Sequence, residues 1–181
     1  MRKLVLLVCL GAVATVLVGA ARGAEPEAGT LSIERGKGVL TLEVRGSVLG
    51  RLGNGSITVT DRTPNDPYLA TITGRRVLVQ RRLTPTKLFF RGNGLRFRML
   101  GGSYKIVLRG SGISLSAVGR GAVSLDGEPR FPGDDIGLYS LDGVDCGVEP
   151  ENCLAVPDEP TRLKFENSPE EESGQKGTGA R

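Results

Sequence analysis

Along most of this chain, apolar side chains recur at every second position in short runs, and glycine separates the runs. Leu40, Leu42 and Val44 alternate with Thr41, Glu43 and Arg45; Ile57 and Val59 alternate with Ser56, Thr58 and Thr60. Similar runs occupy residues 76–80, 87–91, 95–100, 104–109, 113–118 and 122–126. Successive side chains of an extended backbone point to opposite faces, so a period of two marks strands with one buried side. No stretch of ten or more residues carries a helical period. Short apolar runs divided by Gly, Asn and Asp predict an all-β domain, an antiparallel β-sandwich or barrel. A parallel β-helix is the alternative, since its coils also give short strands at regular spacing.

Two dipeptides predict hairpin turns. Gly101-Gly102 separates two runs so that Met99 faces Tyr104, Phe97 faces Ile106 and Leu95 faces Leu108, which puts six apolar side chains on one side. Asn54-Gly55 is a strong short hairpin signal and would pair Leu52 with Ile57. There is also an internal echo. Arg45-Gly46-Ser47 with the run from Leu52 to Val59 resembles Arg109-Gly110-Ser111 with the run from Val118 to Leu125. Two copies of one unit predict a sandwich or barrel built from related halves.

The segments Gly38-Val39-Leu40-Thr41-Leu42, Leu95-Arg96-Phe97-Arg98 and Lys105-Ile106-Val107-Leu108-Arg109-Gly110-Ser111-Gly112 resemble a group of uncharacterised, exported, glycine-rich β proteins of high-GC bacteria. The resemblance spans roughly residues 31–142. It implies export and β structure, and it carries over no activity and no functional residue.

The amino terminus has the layout of a secretory signal. Arg2 and Lys3 precede an uncharged, Leu- and Val-rich run from Leu4 to Ala21, which ends in the small residues Gly19, Ala20 and Ala21. The expected organisation is a signal peptide over 1–21, a flexible lead-in over 22–30, a β domain over 31–166, and a disordered Ser-, Glu- and Gly-rich tail over 167–181. The apolar run is also just long enough to stay as a membrane anchor. Either way the domain faces the extracytoplasmic side, in the cell envelope or secreted, and no transmembrane segment is expected after signal cleavage.

The chain has no histidine and no tryptophan. A Ser-His-Asp triad, a Cys-His dyad and His-based zinc or haem sites are therefore excluded. No phosphate-binding loop or dinucleotide fingerprint is present, so no cofactor is expected. Of three cysteines, Cys9 falls in the signal; Cys146 and Cys153 are expected to form a disulfide closing a small loop. Asp134, Asp135, Asp142 and Asp145 offer carboxylates for calcium, but their spacing matches no EF-hand, and no metal site is assigned.

The formal net charge of +4 conceals a division. Residues 31–130 hold 17 Lys and Arg against 6 Asp and Glu, whereas residues 131–172 hold 2 against 12. In the expected Gly101-Gly102 hairpin, Arg96, Arg98 and Lys105 share the face away from the core, with Arg98 opposite Lys105. Such a basic sheet face suits an envelope polyanion. It also suits the acidic C-terminal segment, as an intramolecular mask or through self-association. Nucleic acid is not expected, because aromatic stacking side chains are few. The expected function is a non-catalytic structural or binding module of the envelope. The alternative is a carboxylate-dependent glycan hydrolase drawing on two of Glu34, Glu43, Asp61, Asp126 and Glu128, which needs two acids facing across a cleft.

Overall fold

The computed structural model describes residues 27–167. The expected signal peptide lies outside these residues, as does all of the expected tail beyond Asn167. Seven strands follow in chain order: β1 (Glu27–Asp61), β2 (Thr71–Thr84), β3 (Lys87–Met99), β4 (Ser103–Gly127), β5 (Leu138–Ser140), β6 (Leu154–Ala155) and β7 (Thr161–Asn167). A 3-10 turn at Pro150–Asn152 is the one helical element among the described residues. All strand pairings are antiparallel. The chain is thus all-β, as the alternation predicts, and a parallel β-helix is ruled out. The sheet does not close into a barrel, and β2 keeps an outer edge with no strand beside it among the described residues.

Two long strands make most of the fold. Leu40 of β1 pairs with Leu108 of β4 on one side and with Leu125 on the other; Leu42 pairs likewise with Ile106 and Val123. The β1–β4 ribbon therefore winds past itself. Across the sheet the order is β2, β3, residues 46–61 of β1, residues 103–119 of β4, residues 29–45 of β1, residues 120–127 of β4, and β7. The coil encloses Leu42, Val48, Leu52, Ile57, Leu95, Met99, Tyr104, Ile106, Leu108 and Val123, all fully buried. Each such aliphatic side chain contributes about 1.5–3 kcal/mol by leaving water.

The predicted hairpins are corrected. Gly101-Gly102 does not join paired strands, because residues 48–61 of β1 lie between β3 and β4. Val48 pairs with Met99 on one side and Ala117 on the other, and Ile57 pairs with Phe90 and Leu108. The six apolar side chains are buried as expected. Alternation fixes which face a residue takes, and an inserted strand leaves that face unchanged. Arg98 accordingly lies opposite Leu49 and Thr71, not Lys105. Asn54-Gly55 is not a turn either, but the middle of β1.

Gly-x-Gly triplets explain why short runs join into the long strands β1, β3 and β4. Gly36-Lys37-Gly38, Gly110-Ser111-Gly112, Gly53-Asn54-Gly55 and Gly92-Asn93-Gly94 stand side by side: Lys37 pairs with Ser111, Ser111 with Asn54, and Asn54 with Asn93. At this line the buried set shifts by one position. In β1 it passes from Val48 and Leu52 to Ile57 and Val59, and in β4 from Tyr104, Ile106 and Leu108 to Ile113, Leu115 and Ala117. The backbones also meet closely there. A Cβ on Gly55 would strike the carbonyl oxygen of Arg109, and one on Gly110 that of Asn54. Both glycines have φ in the region L side chains avoid, 146° and 142°. Glycine here bends paired strands without ending them. The echoed segments are mutual partners, with Gly46 opposite Gly119 and Gly55 opposite Gly110.

The domain edges also differ from expectation. Strand structure begins at Glu27, inside the expected flexible lead-in; Gly29 pairs with Gly119, and Glu27 pairs with Asn167. Those partners are remote in sequence, so local composition carries no sign of them. Phe165 of β7 is buried in the core. Cys146 and Cys153 form the expected disulfide, with Cα atoms 5.8 Å apart. The Cys146 backbone N–H donates to Ser32 Oγ at 3.1 Å, which ties the loop to β1.

Candidate functional site

The sequence Arg51-Leu52-Gly53-Asn54-Gly55 in β1 is the reverse of Gly92-Asn93-Gly94-Leu95-Arg96 in β3. Antiparallel strands set in this register place like against like: Leu52 opposite Leu95, Asn54 opposite Asn93, and Arg51 opposite Arg96. The leucines enter the core. The two arginines stand on the other face, flanked by Thr73, the partner of Arg96, and Ser114, the partner of Arg51. Like charges directly opposed across a sheet are destabilising; Glu34, 3.0 Å from Arg51, offsets part of that repulsion, and Arg96 has no ion pair of its own among the described residues.

Beside the pair, the glycine corner opens a cleft of about 610 Å³. Gly53, Gly74, Gly94 and Gly112 expose backbone along it, and Arg35, Arg51, Arg75 and Arg96 supply guanidinium groups from β1, β2 and β3. No carboxylate lines it. Arg35 is the one non-glycine residue with positive φ (55°) among the described residues, and its N–H donates to the buried Ser114 Oγ at 3.3 Å. Arg75 and Arg96 form no ion pair among the described residues, whereas Arg51 meets Glu34 at 3.0 Å and Arg35 meets Asp135 at 3.4 Å. A second hollow of about 380 Å³ shares Arg51, Arg96 and Ser114 and extends to Ser32, Ser116, Glu34 and Asp145.

The three expected face residues are thus dispersed. Arg96 lies in the cleft. Arg98, two residues along, lines a separate hollow with Tyr68, Leu69, Thr71 and Leu100. Lys105 lies elsewhere, with Nζ 3.2 Å from Glu43 Oε1. Glu43 also meets Arg62 at 2.9 Å and Arg162 at 3.6 Å. The Lys105 hydrogen bond, with Arg62 and Arg162 nearby, holds the Glu43 carboxyl below its ordinary range against the opposing effect of burial. Arg35, Arg51 and Arg75 complete the cleft. The reversed pentapeptide was the sequence signal for Arg51.

The acidic segment is largely engaged with its own loops. Asp134 accepts the backbone N–H of Arg130 at 2.8 Å and faces Lys37 at 3.7 Å, and its carboxyl is held below the usual range chiefly by that backbone bond. Asp135 accepts from the Gly137 N–H, Asp142 from Ser140 Oγ, and Asp145 from the Gly147 N–H. Asp142 too is held low, first by the Ser140 hydroxyl. Among the described residues no three Asp, Glu, Cys or His side chains gather at metal-binding distance, so these four aspartates do not converge on a calcium site. Two of them, Asp134 and Asp135, bridge the acidic segment to Lys37 and Arg35 of the basic sheet.

No helix among the described residues is long and apolar enough to cross a membrane. The chain matches no family model, no curated protein and no solved structure.

Proposed function

We propose that this chain is an exported, non-catalytic binding module of the cell envelope whose arginine cleft takes a polyanion. The opposed pair Arg51 and Arg96 carries the reading. Two guanidinium groups on adjacent strands, with Arg35 and Arg75 beside them, concentrate positive charge in a cleft that no acid lines; Glu34 pairs with Arg51 and Asp135 with Arg35 from outside it, and Arg75 and Arg96 form no ion pair among the described residues. Guanidinium groups bind phosphate, sulfate and carboxylate groups through paired N–H donors. The Thr73 and Ser114 hydroxyls and the glycine backbone add polar groups at close range. A bound anion would also relieve the repulsion between the arginines. Asp135 on Arg35 marks one end as partly masked by the chain's own acidic segment.

The test is retention on immobilised heparin at low salt, using protein spanning residues 22–181. The Arg51→Ala/Arg96→Ala double variant should elute at clearly lower salt. Lys105→Ala, which removes a cation outside the cleft, should elute close to the unmodified protein. Failure of the unmodified protein to bind at low salt rejects the proposal.

One observation favours the hydrolase reading. Glu34 and Asp145 both line the smaller hollow, and a Cβ placed on Gly147 would lie 3.2 Å from Asp145 Oδ1 and 3.7 Å from Glu34 Oε2. Glu43, Asp61, Asp126 and Glu128 line neither hollow. Glu34 is engaged by Arg51 and Asp145 by the Gly147 N–H, so both carboxylates serve as acceptors. Hydrolysis of an acidic oligosaccharide that Glu34→Gln abolishes, with binding intact, would establish this reading in place of the first.

A further inference from the structure

From Tyr68 to Leu100 the chain contains eight Lys and Arg residues and no Asp or Glu. This stretch is the β2–β3 hairpin with its two flanks, and it forms one margin of the sheet. None of its eight cations forms an ion pair among the described residues. The same margin exposes apolar side chains: Leu69 is 78 % exposed, Leu78 57 % and Leu83 50 %, with Val77, Tyr68 and Leu100 also exposed. A margin rich in both unpaired cations and uncovered leucines needs a partner that satisfies both.

Three kinds of partner compare differently with this chemistry. A soluble polyanion satisfies the arginines and offers nothing to the leucines. An added protein strand would need a regular edge. However, the pairing of β2 with β3 is irregular between Val77 and Val79 and again between Arg82 and Thr84, at Leu78 and Leu83. Bulges and charges on an edge are the features that deter strand addition. Self-pairing of two β2 edges would also bring arginines together. An anionic lipid surface satisfies both demands, since its headgroups attract guanidinium groups and its acyl boundary accepts leucine side chains. At about 3.3 Å per residue, β2 presents an edge on the order of 45 Å long.

We infer that the outer margin of β2 docks the domain onto an anionic membrane surface, with Arg76, Arg81 and Arg82 at the headgroups and Leu78 and Leu83 at the acyl boundary. The inference goes beyond the cleft and requires no ligand there. It leaves the cleft's opening, which β2 shares through Thr73, Gly74 and Arg75, beside the membrane.

The test uses protein spanning residues 22–181, because the apolar amino-terminal run would bind lipid by itself. Co-sedimentation is measured at low salt with phosphatidylcholine vesicles, with and without about a third phosphatidylglycerol. Binding is expected to the anionic vesicles only. Arg76→Ser/Arg81→Ser/Arg82→Ser should weaken it by about 100-fold, since each basic residue near such a surface contributes about a factor of five. Leu78→Ser/Leu83→Ser should weaken it with the charge unchanged. The chain has no tryptophan, so Leu78→Trp places a single reporter at the margin; its emission should shift to the blue on anionic vesicles. Far-ultraviolet dichroism confirms that each variant retains its sheet. No vesicle binding by protein that still binds heparin overturns the inference and leaves the cleft proposal standing. Vesicle binding abolished by Arg51→Ala/Arg96→Ala but not by the margin variants also overturns it, because the headgroups would then be held in the cleft.

Discussion

Replacing Gly110 by alanine tests whether the aligned glycines are corners or merely loose spacers. The new methyl would face two obstacles. A φ of 142° is one that L residues avoid, at a cost of roughly 1–3 kcal/mol. The methyl would also strike the carbonyl oxygen of Asn54 on the adjacent strand, with Gly55 Cα 2.9 Å away. The nearest atoms are all backbone of that strand, which leaves no flexible side chain to yield, so the strands must part. Two ladder hydrogen bonds lost there add about 2 kcal/mol. The total, about 3–5 kcal/mol, is a large share of the 5–15 kcal/mol by which domains are typically stable. Gly133 is the control. Its φ is 86°, but nothing lies within 4 Å of its would-be Cβ. Gly133→Ala should therefore cost only the backbone term, about 1 kcal/mol. With a urea slope of about 2 kcal/mol per molar, the midpoint should fall by roughly 2 M for Gly110→Ala and 0.5 M for Gly133→Ala. Equal shifts would refute the close-approach argument, because only backbone conformation would then separate alanine from glycine.

Two further outcomes follow from the loop and the surface. Cys146→Ser/Cys153→Ser should lower stability by about 2.4 kcal/mol, the loop-entropy value for so short a ring, read as a fall in the urea midpoint that reducing agent reproduces in the unmodified protein. Glu43→Gln should cost about 1–2 kcal/mol at neutral pH and low salt, since it removes one carboxylate shared by three cations. Because folding lowers the Glu43 pKa, this stabilisation is complete above the ordinary value of 4.5 and fades as pH falls through the folded value. The gap between the two proteins should close in acid, and a gap unchanged at pH 3 would contradict the assignment.

Which residues face the core was legible from alternation within each run, because facing depends only on parity between one glycine corner and the next. Which strands are neighbours was not. Met99 and Tyr104 satisfy a two-residue hairpin and satisfy equally an arrangement in which Met99 pairs with Val48, and Tyr104 with Val44 and Asp61. Local sequence prefers the first, and the ribbon's return past itself imposes the second. Taken locally, Gly-x-Gly between apolar runs resembles punctuation, because glycine weakens a strand interior. Four triplets at matching register instead let segments of three strands, β1, β3 and β4, shift their buried face together, which no single triplet discloses. The candidate site was partly legible for the same reason. Arg96 alternates with the buried Leu95 and Phe97 and is exposed, and its cross-strand partner is Arg51, 45 residues earlier. The reversed pentapeptide carried that pairing, and it is visible only when two distant segments are compared in opposite directions.

The corner and the cleft are physically one object, and two glycines can separate their roles. Gly53 lines the cleft, and its φ is not of the kind that demands glycine. A Cβ there would lie 3.0 Å from the Ser111 carbonyl oxygen and 3.4 Å from Gly112 Cα, so the neighbouring backbone must give by only a few tenths of an ångström. Gly53→Ala should therefore cost about 1 kcal/mol or less, because reduced freedom of the unfolded chain offsets the tight contact. Its methyl, however, would cover backbone that lines the cleft, and heparin affinity should fall by roughly tenfold, equivalent to about 1.4 kcal/mol. Gly119 sits at the other close approach, with φ 147° and a would-be Cβ against the Arg45 carbonyl oxygen, outside the cleft. Gly119→Ala should do the reverse, with a fall of several kcal/mol in stability and unchanged affinity of the protein that remains folded. Calorimetry on the folded fraction together with urea unfolding reads both quantities for each variant. If Gly53→Ala binds heparin as tightly as the unmodified protein, the glycine floor shapes the sheet without contacting the anion, and recognition rests on the arginine side chains alone.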